Sequence, residues 1–152
     1  MSRLIICVVL VGVLFSVGCA PVTFVQQAPG WKSIELREGL AQNYDAAWQT
    51  IVDTIARDYD LELVDKNSGY LRTAWTYGIS GGNVQTYRGR LTVKFSDVKT
   101  PDKVDIKTDA AWYFGGNGLF QNAVWLSGFD TAFQRDVFTA LSGRLGRTVP
   151  KN

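Results

Sequence analysis

The chain has 152 residues, with 16 Lys and Arg against 14 Asp and Glu, two cysteines and no histidine. So balanced a charge offers no field for nucleic acid. The missing histidine removes the commonest general base and metal ligand at neutral pH, so a non-catalytic protein without cofactor or metal is expected.

Met1, Ser2 and Arg3 precede "LIICVVLVGVLFSV", residues 4–17, which carry no charge. A spanning helix wants about 20 apolar residues, whereas a secretory h-region needs about 7–15 after a basic residue, so the run is read as an export signal. Ser16, Val17, Gly18 and Cys19 resemble the lipobox of bacterial lipoproteins, departing from it at Ser16, where that family favours Leu. The resemblance implies cleavage before Cys19, diacylglycerol on its thiol and acylation of its freed amine. Several chains on one cysteine anchor stably where a single chain binds reversibly. Ala20 follows the cysteine where aspartate would favour the inner membrane, so the resemblance implies the periplasmic face of the outer membrane. The competing reading is a plain signal anchor with an incidental cysteine.

Cleavage leaves 134 of the 152 residues, enough for one domain with a core. Cys7 departs with the signal and Cys19 is blocked, so packing alone must hold the fold. The expected organisation is a signal peptide over 1–18, a lipidated cysteine and flexible spacer over 19–32, and one domain over 33–149. The spacer, "APVTFVQQAPGWK", has two prolines, a glycine and no period.

In chain order, "SIELREGL" predicts a short strand through Ile34 and Leu36. Asn43 then caps a helix whose buried face is Tyr44, Trp48, Ile51, Val52, Ile55 and Tyr59. "LELVDKNSGYLRTAWTY" predicts a hairpin turning at Gly69, with Leu61 and Leu63 on one side, then Leu71, Thr73, Trp75 and Tyr77 sharing a face. "YRGRLTVKF" and "KVDIKTDAAWY" alternate as two further strands. Pairing Phe95 with Val104 sets Lys94 opposite Asp105 and Arg90 opposite Asp109, so apolar pattern and charge choose one register. On that reading the basic row Arg88, Arg90 and Lys94 is a solvated sheet face. "GFDTAFQRDVFTALSGRLGR" predicts a second helix burying Phe133, Val137, Ala140, Leu141 and Leu145, with Ser127 and Asp130 as a capping box. The expected fold is α+β, an antiparallel sheet of about four to five strands with two helices packed on one face.

Tyr44, Asp45, Ala47, Trp48, Asp65 and Gly69 resemble, residue by residue, the helix-grip domain of a lipoprotein component of the outer-membrane β-barrel assembly machinery. The likeness covers about 30 residues closely and the rest in element order, and it implies a helix-grip-like fold more than an activity. That component has two such domains and a long N-terminal docking segment, which this chain does not match.

Asp58, Asp60 and Glu62 mimic the start of a calcium loop, but Leu63 stands where glycine is required. "GISGGN" and "GGNG" lack the lysine of a phosphate cradle. The stretch "FGGNGLFQNAVWLSGF", residues 114–129, sets Leu119, Phe120, Val124, Trp125 and Leu126 among glycine and asparagine breakers. It reads either as a strand or core flap, or as a contact surface for a partner or lipid. The expected function is that of a non-catalytic, membrane-anchored lipoprotein acting by protein–protein contact in cell-envelope or outer-membrane assembly or maintenance. Its partners would be the membrane, through acyl chains on Cys19, and an envelope protein. A carrier of a lipid or other apolar ligand is the alternative, and a hydrolase comes third.

Overall fold

The computed structural model describes residues 21–83, 85–114 and 124–149. Its centre is two long antiparallel strands, β6 (Tyr87–Phe95) and β7 (Lys103–Phe114). They pair Phe95 with Val104, Lys94 with Asp105 and Arg90 with Asp109, the register that pattern and charge predict. Leu91, Val93, Phe95, Val104 and Ile106 are buried on one face. A slip by one residue would turn them all to solvent.

Both central strands share their outer edges between two neighbours. On β7, β2 (Lys32–Leu36) takes the first part, from Lys103 to Ile106, and β8 (Val124–Asp130) takes the last, from Ala110 to Phe114. The notch between them is plugged by Gln134, whose side-chain amide donates to the Thr108 hydroxyl at 3.4 Å. On β6, β4 (Tyr70–Thr73) and β5 (Thr76–Tyr77) divide the edge in the same way. β1 (Phe24–Val25) adds to β8, β3 (Leu61–Asp65) to β4 and β9 (Gly146–Val149) to β2. Three helices, α1 (Glu38–Ala41), α2 (Tyr44–Ile55) and α3 (Thr131–Leu145), complete the described residues with a 3-10 turn at Ile79–Gly81.

The fold is α+β, but the described residues hold nine strands and three helices against the expected four to five strands and two helices. One addition, β8, has seven residues and lies almost wholly in the glycine- and asparagine-rich stretch that the sequence leaves open between strand, flap and contact surface; the others are short. β1, β5 and β9 have two to four residues each, too few to show a period, and are held by backbone pairing that leaves no side-chain signature. Gly146 lets β9 pass close to β2, because a Cβ there would overlap the Glu35 carbonyl. α1 has four residues and buries Leu40 alone, again below the length of a readable pattern.

α2 starts as predicted, with Asn43 accepting from the Ala46 amide at 3.0 Å, and packs Trp48, Ile51 and Ile55 onto the sheet. The Trp48 ring centre lies 6.0 Å from that of Phe95. α3 differs from expectation at its start: the cap is Asp130 itself, accepting from the Phe133 amide at 2.6 Å, while Ser127 lies in β8 opposite Ala111. Gly128 and Phe129 are consumed by strand pairing before the helix begins. Phe138, and not Ala140, joins Phe133, Val137, Leu141 and Leu145 in the core.

The β3–β4 hairpin turns at Gly69, whose φ of 67° suits glycine. Two parts of its predicted facing are corrected. A register shift between Leu61 and Leu63 leaves Leu63 exposed. The chain also breaks after Thr73, so Trp75 and Tyr77 lie with the arginines of β6 and not with buried Leu71 and Thr73.

The segment expected as spacer is partly built into the domain. Phe24 and Val25 pair with Asp130 and Phe129, and the Phe24 ring meets those of Tyr87 and Trp112 at 5.9 and 6.4 Å.

Candidate interaction surface

The face of the sheet opposite the helices carries Arg88 and Arg90 on β6, Lys107, Asp109 and Tyr113 on β7, and Trp125 on β8. The Arg88 guanidinium is sandwiched between two indoles, with Cζ 4.4 Å from the Trp75 ring centre and 3.9 Å from that of Trp125. Its Nη1 donates to the Tyr77 hydroxyl at 3.2 Å. Its Nε is buried without a hydrogen-bond partner among the described residues. A planar cation between two π faces is held by their quadrupoles, each contact being worth about 0.5–2 kcal/mol depending on desolvation.

The cluster extends sideways through charge. Arg90 lies 4.5 Å from the Trp75 ring centre and pairs with Asp109 at 3.2 Å. Asp109 also pairs with Lys107 at 3.3 Å, and Lys107 lies 5.7 Å from the Trp31 ring centre. Tyr113 backs Trp125 at 5.2 Å. Side chains from β5, β6, β7, β8 and the segments before β2 and β5 therefore converge on one surface. The basic row is not simply a solvated face, because aromatic rings lie against Arg88 and Arg90.

The residues expected to make contacts fall in different places. Trp125 belongs to this surface. Val124 is exposed opposite Phe114, and Leu126 is half-buried opposite Trp112, both on the other face of the sheet because strand side chains alternate. Leu119, Phe120 and Cys19 lie outside the described residues. Trp75, Tyr77 and Arg88 are not among the contact residues expected from sequence. Their signal is present as Trp75-x-Tyr77 and an arginine on an outward position, but which strands become neighbours is not written in either segment.

Beneath β1 lies a buried polar hub. Asp130 accepts from the hydroxyls of Thr23 at 2.5 Å, Tyr87 at 2.5 Å and Ser80 at 2.7 Å as well as from its own helix. Burial pushes its carboxyl pKa up, and the four donors together outweigh burial and hold it below the ordinary value. Burial first, and then Asp130, push the Tyr87 hydroxyl up. Both acceptor oxygens are occupied, so the group is an anchor for chain segments and not a free base. Ser80 adopts a left-handed φ of 51° to reach it.

Clefts on the described surface include two of note. One, of about 560 Å³, is lined by Gly30–Ser33, Phe129, Gln134, Phe138, Thr148 and Val149. The other, of about 380 Å³, adjoins the aromatic cluster through Trp75 and Tyr77 and is bounded by Asp58, Tyr59 and Asp60. Among the described residues no helix is long and apolar enough to cross a membrane. Comparison of the chain with protein-family models, with curated proteins and with solved structures gave no match.

Proposed function

We propose that this is a membrane-anchored lipoprotein of the periplasmic face of the outer membrane, whose domain works without catalysis, by protein–protein contact in envelope assembly or maintenance. The anchoring rests on the lipobox-like Ser16 to Cys19, and the envelope role on the likeness to the assembly-machinery lipoprotein. The contact role rests on the surface around Arg88. Trp, Tyr and Arg are the residue types that dominate binding energy at protein interfaces, and here they are already ordered by stacking. Little side-chain entropy is left to lose when a partner arrives.

The test replaces half-exposed Tyr77 with a photo-crosslinking amino acid in living cells. Discrete protein adducts are expected, and Trp125→Ser should abolish them while the chain stays folded. Absence of adducts, or adducts indifferent to Trp125→Ser, would remove this surface from consideration. Mass spectrometry of the membrane fraction tests the anchor separately: an acylated Cys19 should be the first residue. The carrier reading has one observation in its favour, the larger cleft with Trp31, Phe129 and Phe138 in its wall, whose volume suits a small ligand.

A further inference from the structure

The described residues begin at Pro21, two positions after Cys19. The Pro21 carbonyl accepts from the Phe24 amide at 2.9 Å, and the Thr23 carbonyl accepts from the Thr131 amide at 2.9 Å. The Thr23 hydroxyl is bound to buried Asp130. Two peptide units separate Pro21 from Cys19, and fully extended they span about 7 Å. A cysteine bearing acyl chains sits at the boundary of headgroups and hydrocarbon, and one interfacial layer is about 5–8 Å deep. Acylation of Cys19 would therefore hold the surface around Pro21 at the headgroups.

The larger cleft opens at that place. Its wall residue Phe129 is the strand partner of Val25. From there it follows the first two turns of α3, with Gln134 and Phe138 about 4.5 and 10.5 Å along the axis from Thr131. Two of its three aromatic rings carry cations at their faces: Lys32 Nζ lies 5.5 Å from the Phe138 ring centre and Lys107 Nζ 5.7 Å from that of Trp31. Apolar bodies with ammonium tips suit a surface between acyl chains and phosphates. Val22, fully exposed, lies between the cleft and the anchor in sequence.

We propose that this cleft is the bilayer-facing surface of the domain, occupied by phospholipid of the membrane that holds Cys19. The inference rests on the acylation of Cys19 proposed for the anchor. The domain is then seated on the membrane and does not swing on a spacer. Trp125 stands five residues up β8 from Asp130, about 17 Å, so the seat also fixes where the Arg88 surface is presented.

The test uses the full-length, processed protein. With Cys7 removed and Cys19 acylated, an introduced cysteine is the sole labelling site. Thr148→Cys places a polarity-sensitive fluorophore at the cleft rim. Asn67→Cys places it at the β3–β4 turn, on the opposite edge of the sheet, about five strand spacings or 24 Å away. In vesicles of phosphatidylethanolamine and phosphatidylglycerol, the label at position 148 should be several-fold less quenched by iodide than that at 67. The double variant Trp31→Ser, Lys32→Glu should raise quenching at 148 to the level at 67. Equal quenching at both positions, in protein whose mass shows acylated Cys19, would overturn the seat and leave the anchor standing. Unmodified Cys19 would overturn the anchor and the seat together. Shielding that persists in vesicle-free protein with lipid bound in one-to-one ratio would make the cleft a carrier pocket, overturning the proposal.

Discussion

Tyr87 donates its hydroxyl hydrogen to Oδ2 of Asp130 at 2.5 Å, tying the first residue of β6 to the residue that caps α3. The same carboxylate receives Thr23 from the chain's N-terminal side and Ser80 from the 3-10 turn. One side chain therefore joins the N-terminal segment, the 3-10 turn and β6 to the start of α3. The attachment of Thr23 and the β1 strand after it to the domain is made through this buried group.

Acid should loosen that hub. The Asp130 carboxyl is more acidic in the folded chain than unfolded, so its contribution is fully present above the unfolded value of about 4 and is lost as pH falls through the folded one. Asp130→Asn keeps a capping oxygen but loses the charged acceptor. It should cost about 1–3 kcal/mol at pH 7 and flatten the fall in stability between about pH 5 and 2. Urea midpoints of the two proteins at about pH 7 and pH 3 check this, and parallel losses at both pH values would show that the charge is not what matters. Tyr87 has the opposite sign: its raised hydroxyl pKa favours the protonated, folded form until pH rises past the ordinary tyrosine value near 10.

Two glycines should respond in opposite directions to the same change. A Cβ on Gly89 would stand 2.6 Å from Ile79 Cδ1 and 3.0 Å from Phe133 Cε1, both in the core. Gly89→Ala should therefore cost about 1–3 kcal/mol. Gly143, on α3, has nothing within 4 Å of that position. Gly143→Ala should stabilise by about 0.5–1 kcal/mol, since alanine restricts the unfolded chain and favours helix. Thermal melts of the two single variants would show the midpoint moving down for one and up for the other.

Trp48 is 5 % exposed and packed against Phe95, with Tyr44 also on that ring at 5.0 Å. Trp48→Ala should cost about 3–5 kcal/mol, because the cavity between α2 and the sheet cannot collapse without moving the helix. A denaturant midpoint that barely shifts would show the helix held elsewhere.

What the sequence discloses follows from how each element is stabilised. The β6–β7 register is legible because nine paired positions carry both an apolar alternation and the facing charges Arg90 and Asp109. The face of α2 is legible because it repeats over three turns. Thr23, Phe24 and Val25 read locally as spacer because their attachment depends on Asp130, more than 100 residues away, and no local pattern announces such a bond. The Arg88 surface is hidden for a similar reason. Trp75 and Trp125 reach the two sides of Arg88 only because β5 and β8 flank opposite edges of the β6–β7 pair. The break after Thr73 that turns Trp75 outward has no proline or glycine to mark it.

Arg88→Lys tests whether that surface depends on a flat cation or only on positive charge. Lysine keeps the charge but offers a compact ammonium that cannot lie between two indoles or present a fork to Tyr77. The stacking energy should fall by about 1 kcal/mol, and Trp75 and Trp125 should gain mobility, read as a reduced near-ultraviolet circular dichroism signal. If the surface binds by preordered rings, crosslinks from position 77 should weaken several-fold although net charge is unchanged, because the entropy of ordering the indoles must then be met on binding. If the partner reads charge alone, Arg88→Lys should leave the crosslinks intact and Arg88→Gln should remove them. An Arg88→Lys protein with unaltered stability, aromatic dichroism and crosslinks would show that the sandwich contributes to neither fold nor binding.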